Sequence, residues 1–141
     1  MANISAYAEK AMLDWILGGA TPTQPSTRAI GLSLGSPTST SGSECTVVSG
    51  YTRLTGGTAL PFGPATSPGG SAFNTVAFTF GPVSTAHIFS GIGVWDTLTG
   101  TSNATPNGGN LLWYGLLSAP RTLASGDSLV IATSALTVSL A

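Results

Sequence analysis

One histidine, one cysteine and five carboxylates are the side chains from which this chain would have to assemble an acid–base or nucleophilic site. His87 with Asp96 or Asp127 and any serine makes a Ser-His-acid set on paper. No serine lies in the G-x-S-x-G turn that would expose it as a nucleophile. Cys45, the single cysteine, has no partner for an internal disulfide and reads as a small apolar filler. Gly91-Ile92-Gly93 is half of a dinucleotide-binding fingerprint, with neither the third glycine nor the following helix that phosphate binding needs. Small residues within a strand mark close packing instead. The five acids are spread along the chain, so a carboxylate pair or calcium cage is not expected. Asp96 with Asn103, Asn107 and Asn110 offers oxygen ligands for a hard cation, and Asx-turns explain the same residues. Asn103-Ala104-Thr105 has the form of a glycosylation sequon, accidental without a secretory signal. Trp95, Trp113 and Tyr114 offer aromatic faces for a sugar. Residues 113 and 114 alternate in direction, so at least one belongs to the core. The expectation is no catalytic residue, no cofactor, no metal and no enzymatic activity.

Composition points the same way. Only 6% of residues are charged and the net charge is −1, against about 25% charged in an ordinary domain. Near-neutral surfaces associate. The polar surface is instead made from hydroxyls, 38 Ser and Thr together, with 19 Gly. Such a surface loses water cheaply because no ion is stripped of its shell, and suits cover by neighbouring subunits. Lys10, Arg28, Arg53 and Arg121 are scattered, so no nucleic-acid partner is expected, since phosphate affinity needs several cations together. No apolar run approaches the ~20 residues of a membrane span, and the N-terminus lacks the basic end and apolar stretch of a signal peptide.

The elements that position these residues are nearly all strands. The chain reads as one domain over 1–141, with a helix in 1–19 and a β-sandwich over 28–141. Ser5–Leu17 has apolar residues three and four apart (Ile4, Ala8, Ala11, Met12, Trp15). Asn3 or Ser5 caps it and Gly18-Gly19 stops it. Thr21–Thr27 is an extended connector. Arg28–Leu34 alternates with Ile30, Leu32 and Leu34 inward. Glu44–Val48, Tyr51–Leu54, a short piece at Leu60–Phe62, and Phe73–Phe80 follow. Ile88–Asp96 and Asn110–Leu117 make a hairpin around a polar tip, Thr97–Gly109, on which the rest of the core packs. Beyond Ala119-Pro120 come Arg121–Leu123, Ser128–Ala132 and Leu136–Leu140. The fold class is all-β: an antiparallel β-sandwich or jelly roll of about eight to ten strands with one N-terminal α-helix.

Several segments resemble a family of small tailed-bacteriophage virion proteins, known as tail-fibre or head-decoration proteins. They are the helix leading into Gly18-Gly19-Ala20-Thr21-Pro22, Glu44 followed by Gly50-Tyr51-Thr52-Arg53, and Gly93-Val94-Trp95-Asp96. Gly109-Asn110-Leu111-Leu112-Trp113-Tyr114-Gly115, Gly126-Asp127 and Ala135–Leu140 complete the set. Thr52 stands where the family usually has Ala. The resemblance implies a non-enzymatic virion component made in the host cytoplasm. The primary expectation is a cement protein on the capsid exterior, bridging major capsid protein subunits as a homodimer or homotrimer. Its expected contacts are Tyr7 and Trp15 on the helix, Pro22 and Pro25 in the connector, and Pro61, Phe62 and Pro64 in the Gly56–Ser71 loop. A chain this short, without a stalk, argues for cement. The alternative is a tail-fibre or receptor-binding module using the Thr97–Gly109 tip.

Overall fold

The computed structural model describes residues 2–45, 51–55, 62–66, 70–98 and 109–139. In chain order the elements are β1 (Ala2–Ile4), α1 (Ala6–Leu17), β2 (Ala29–Ser33), β3 (Ser71–Phe73) and β4 (Phe78–Phe80). Then come β5 (His87–Trp95), β6 (Leu111–Leu123), β7 (Leu129–Ile131) and β8 (Thr137–Ser139). All pairings are antiparallel. β1-β6-β5-β2 form a four-stranded sheet, while β3 pairs with β8 and β4 with β7. The fold is therefore all-β with one helix, with eight strands among the described residues.

The hairpin of β5 and β6 is the spine. Ile92 and Val94 are buried in one core with Phe89, which joins them across the register shift before Gly91, while Trp95 is buried over Gly31 and Gly93, so β5 is covered on both sides. β2 is too: all five of its residues are buried, where alternation predicts a half-buried strand. Ile30, Leu32, Ile92, Val94, Leu112 and Leu123 of the large sheet meet Phe78 and Phe80 of β4 in one core. Cys45 lies buried in that core.

Four boundaries differ from the sequence reading. Ala2–Ile4 pair with Trp113–Gly115, so the N-terminus is an edge strand and not a helix lead-in. Ser5 then caps α1, accepting from Ala8 N, while its hydroxyl donates to Leu111 O; Asn3 lies within β1. Phe73–Phe80 is two strands, because Asn74 turns inward. Its Nδ2 donates to Val76 O (2.7 Å) and Ala132 O (2.8 Å), and its Oδ1 accepts from Leu136 N at 2.8 Å. One buried amide thus joins the β3–β4 turn to the β7–β8 connection. β6 runs through Pro120: Phe89 opposes Arg121 but Gly91 opposes Leu116, so Leu117–Pro120 bulge opposite Ser90. A bulge needs no ladder donor from proline.

Of the expected strand at Leu60–Phe62, Leu60 and Pro61 lie outside the described residues, as do Thr46–Val48 and Leu140; Phe62 bridges to Asn74. Glu44 and Leu54 make single bridges to Ser33 and Ile30, not ladders. Replacing Asn74→Ala leaves Leu136 N unpaired in the interior. The expected loss is about 1–3 kcal/mol, measured by urea unfolding.

Candidate functional site

Two features stand apart from ordinary packing. One is a buried ionic clamp beside β2; the other is the helical arm.

The clamp is built by residues from three parts of the chain. Arg53, 3% exposed, grips Glu44 with two bonds, Nε to Oε1 at 2.7 Å and Nη2 to Oε2 at 2.6 Å. Its Nη1 donates to Thr97 O at 2.9 Å, and its guanidinium carbon lies 4.4 Å from the Trp95 ring centre. Tyr51 donates to Glu44 Oε1 (3.1 Å) and accepts from Leu32 N at 2.8 Å. Its ring stacks on Phe80 with centres 6.2 Å apart. Gly31 makes this possible. A Cβ there would lie 2.9 Å from both Glu44 Oε1 and the Trp95 ring, and closer still to the Tyr51 hydroxyl. Only a glycine lets carboxylate, phenol and indole meet over β2. Burial, with the Glu44 carboxylate beside it, pushes the Tyr51 hydroxyl well above the usual phenol range.

Every polar atom of the clamp named above is already bonded within the chain. The clamp is a fastening. It holds Glu44 and residues 51–54 at the outer edge of β2, where Glu44 bridges to Ser33 and Leu54 to Ile30.

The groups considered for chemistry do not come together. His87 begins β5 and Asp96 follows its other end, and the His87 ring nitrogen Nδ1 lies 3.3 Å from the hydroxyl and carbonyl oxygens of Thr85. Asp127 accepts from Ala124 N within a turn. Asp96 is engaged by Asn110, through its backbone N at 2.6 Å and its amide at 2.8 Å. Asn103 and Asn107 lie outside the described residues. Among the described residues no three His, Cys, Asp or Glu converge. Nor do the aromatics form a platform. Trp95 is buried against Arg53 and three glycines, Gly31, Gly42 and Gly93. Trp113 packs on the core with its Nε1 buried and unpartnered. Trp95 is thus a packed residue, its ring covered by Arg53 and by the backbone at these glycines.

The expected contact residues divide. Tyr7 and Pro22 line a common recess of about 190 Å³ with Lys10, Ala11, Asp14 and Ala20. Trp15 is 64% exposed on the same helix. Pro25 is half-buried in the connector, Phe62 is half-buried beside Asn74, Pro64 is exposed, and Pro61 lies outside the described residues. Sequence reasoning missed the clamp. Its signal was an Arg and a Glu nine residues apart among so few ions, next to a Trp-bearing strand dotted with glycine.

Breaking the clamp from one side strands a buried charge. Arg53→Met should cost about 3–5 kcal/mol, and adding Glu44→Gln should recover part of it, as a double-mutant cycle by urea unfolding reads directly. Alkali tests Tyr51. Folded Tyr51 keeps its proton above about pH 10, where an unfolded tyrosine releases it. The native state then binds more protons, so stability falls as pH rises past that value. The fall in urea midpoint should be smaller in Tyr51→Phe.

Among the described residues no helix is long and apolar enough to cross a membrane. Comparison with curated proteins finds no match. The family described as podophage GP4 fiber I protein gp80 matches residues 3–139, from β1 to the end of β8. That span includes every residue of the clamp and the Asp96–Asn110 bond, and Glu44, Tyr51, Arg53, Trp95, Asp96 and Asn110 lie in the segments singled out above as resembling phage virion proteins. The chain belongs to the podophage GP4 fiber I protein gp80 family, a family of phage virion proteins.

Proposed function

We propose that this virion protein is a non-enzymatic building block of a podophage tail fibre, held in the particle by contacts of its apolar helical arm. The observation that carries the reading is the match of the fibre family over 3–139. It weighs against the head-cement role expected first, and against the major capsid protein as partner. The described structure supports a building block in two ways. Four of its five carboxylates and the Arg53 guanidinium are engaged in internal bonds, and its three most exposed large apolar residues, Trp15, Ile16 and Leu17, are consecutive on α1. The hairpin tip between Leu98 and Gly109 is the place for a host-facing contact, anchored at its base by Asp96 and Asn110.

Location decides between the two virion roles. Gold-labelled antibodies to the chain, applied to intact particles, should decorate the tail at few positions. Labelling over the whole head lattice would return the cement reading.

A further inference from the structure

The mouth of the β5–β6 hairpin is closed more tightly than a ladder requires. The ladder ends at Trp95 and Leu111. One residue further out, Asp96 and Asn110 join three times. Asp96 N donates to Asn110 O at 3.1 Å, Asn110 N to Asp96 Oδ1 at 2.6 Å, and the Asn110 side-chain amide to Asp96 Oδ2 at 2.8 Å. Both carboxylate oxygens of Asp96 are thereby engaged by the opposite strand. Gly109 brings the two chains closer still. Its φ is 85°, a left-handed conformation that a side chain resists. A Cβ there would run into Asp96 Oδ1 and the Thr97 methyl. Asp96, Thr97, Gly109 and Asn110 thus make a collar. The tip leaves it at Leu98 and returns at Gly109.

A collar at the surface is weak by itself. Asp96 is half-buried, and Gly109 and Asn110 are exposed, so water competes for its bonds. The outgoing side, however, is tied to the interior. Thr97 O accepts from Arg53 Nη1, and the Arg53 guanidinium lies over the Trp95 ring while its other donors hold Glu44. Residues 95 and 97 are the two neighbours of Asp96 in the chain. The clamp therefore holds Asp96 from both sides without touching its carboxylate. While stacking fixes Trp95 and the hydrogen bond fixes Thr97, the backbone at Asp96 cannot turn, and its carboxylate stays aimed across the mouth. Only an arginine supplies a fork for a carboxylate, a further donor for a carbonyl and a flat face for an indole at once.

We infer that Arg53 is a positioning residue for the hairpin tip: the buried clamp fixes Trp95 and Thr97, these fix Asp96, and Asp96 holds Asn110, so both feet of the tip are set from the interior. A loop whose feet are fixed in advance gives up less freedom when it meets a partner. The coupling of clamp to collar belongs to the isolated chain. Its use in host contact rests on the fibre reading, and the coupling itself does not.

Hydrogen exchange followed by NMR on the purified full chain tests the coupling from both ends. Arg53→Lys keeps a cation beside Glu44 and gives up the fork. Exchange of the Asn110 backbone amide should then quicken about tenfold, the equivalent of one lost hydrogen bond, although residue 53 makes no bond to Asn110. Asn74→Ala, which weakens the fold elsewhere, should leave the Asn110 rate as in the parent. Gly109→Ala opens the collar from the surface, where the fold tolerates it. Coupling acts equally in both directions, so this variant should quicken exchange of the buried Arg53 Nε proton. A folded Arg53→Lys or Gly109→Ala chain with the far end exchanging at the parental rate would overturn the inference. So would Asn74→Ala quickening Asn110 as much as Arg53→Lys does.

Discussion

Arg53 is a cation placed where water cannot reach it. A guanidinium survives burial only when its donors are filled and its faces covered. Here Glu44 fills two donors, the Thr97 carbonyl fills another, and Trp95 covers a face. Separated pieces of chain have to be correct at once for this to happen: Glu44, Tyr51 and Arg53, β2 with its bare Gly31, and the end of β5. The bond to Thr97 also brings the clamp to the base of the hairpin tip. Such a pair adds little net stability compared with apolar packing. What it adds is discrimination, because a one-residue slip of β2 would carry Gly31 away from beneath Glu44 and drive a side chain into the indole.

The remaining ions follow the same economy. Asp14 takes Lys10, Asp96 takes Asn110, Asp127 closes a turn, and Glu9 sits in the first turn of α1, near the positive end of the helix dipole. Four of the five carboxylates are thus bonded within the chain. Among the described residues the rest of the surface is largely hydroxyl, backbone and hydrocarbon, the latter densest on the arm at Leu13, Trp15, Ile16 and Leu17. Such a surface is a poor solvent-facing coat and a good buried one.

Long, strongly patterned elements were legible in the sequence. A cap at Asn3 or Ser5, Gly18 as a stop and the β5–β6 hairpin follow from spacing and turn chemistry alone, and the pairing of Asn3 in β1 leaves Ser5 as the cap. So does the all-β class. What escaped depended on contacts between distant residues. Ala2–Ile4 is too short to announce itself, and is a strand only because β6 offers a partner. Asn74 looks like any polar residue in an alternating run until the carbonyls of Val76 and Ala132 are seen to need its amide. Pro120 reads as a strand end unless a bulge absorbs it. Arg53 reads as a surface cation, because burial of an ion is decided by partners that composition does not reveal. Trp95 looks available for a ligand until three glycines bring the backbone against its ring.

The central claim is that the apolar arm is built to be covered in the assembled particle. Hydroxyl-radical footprinting of intact virions reads this at one side chain. Trp15 should resist oxidation in the particle and react readily once the chain is unfolded. Equal reactivity of Trp15 in the intact particle and in the unfolded chain would contradict the account.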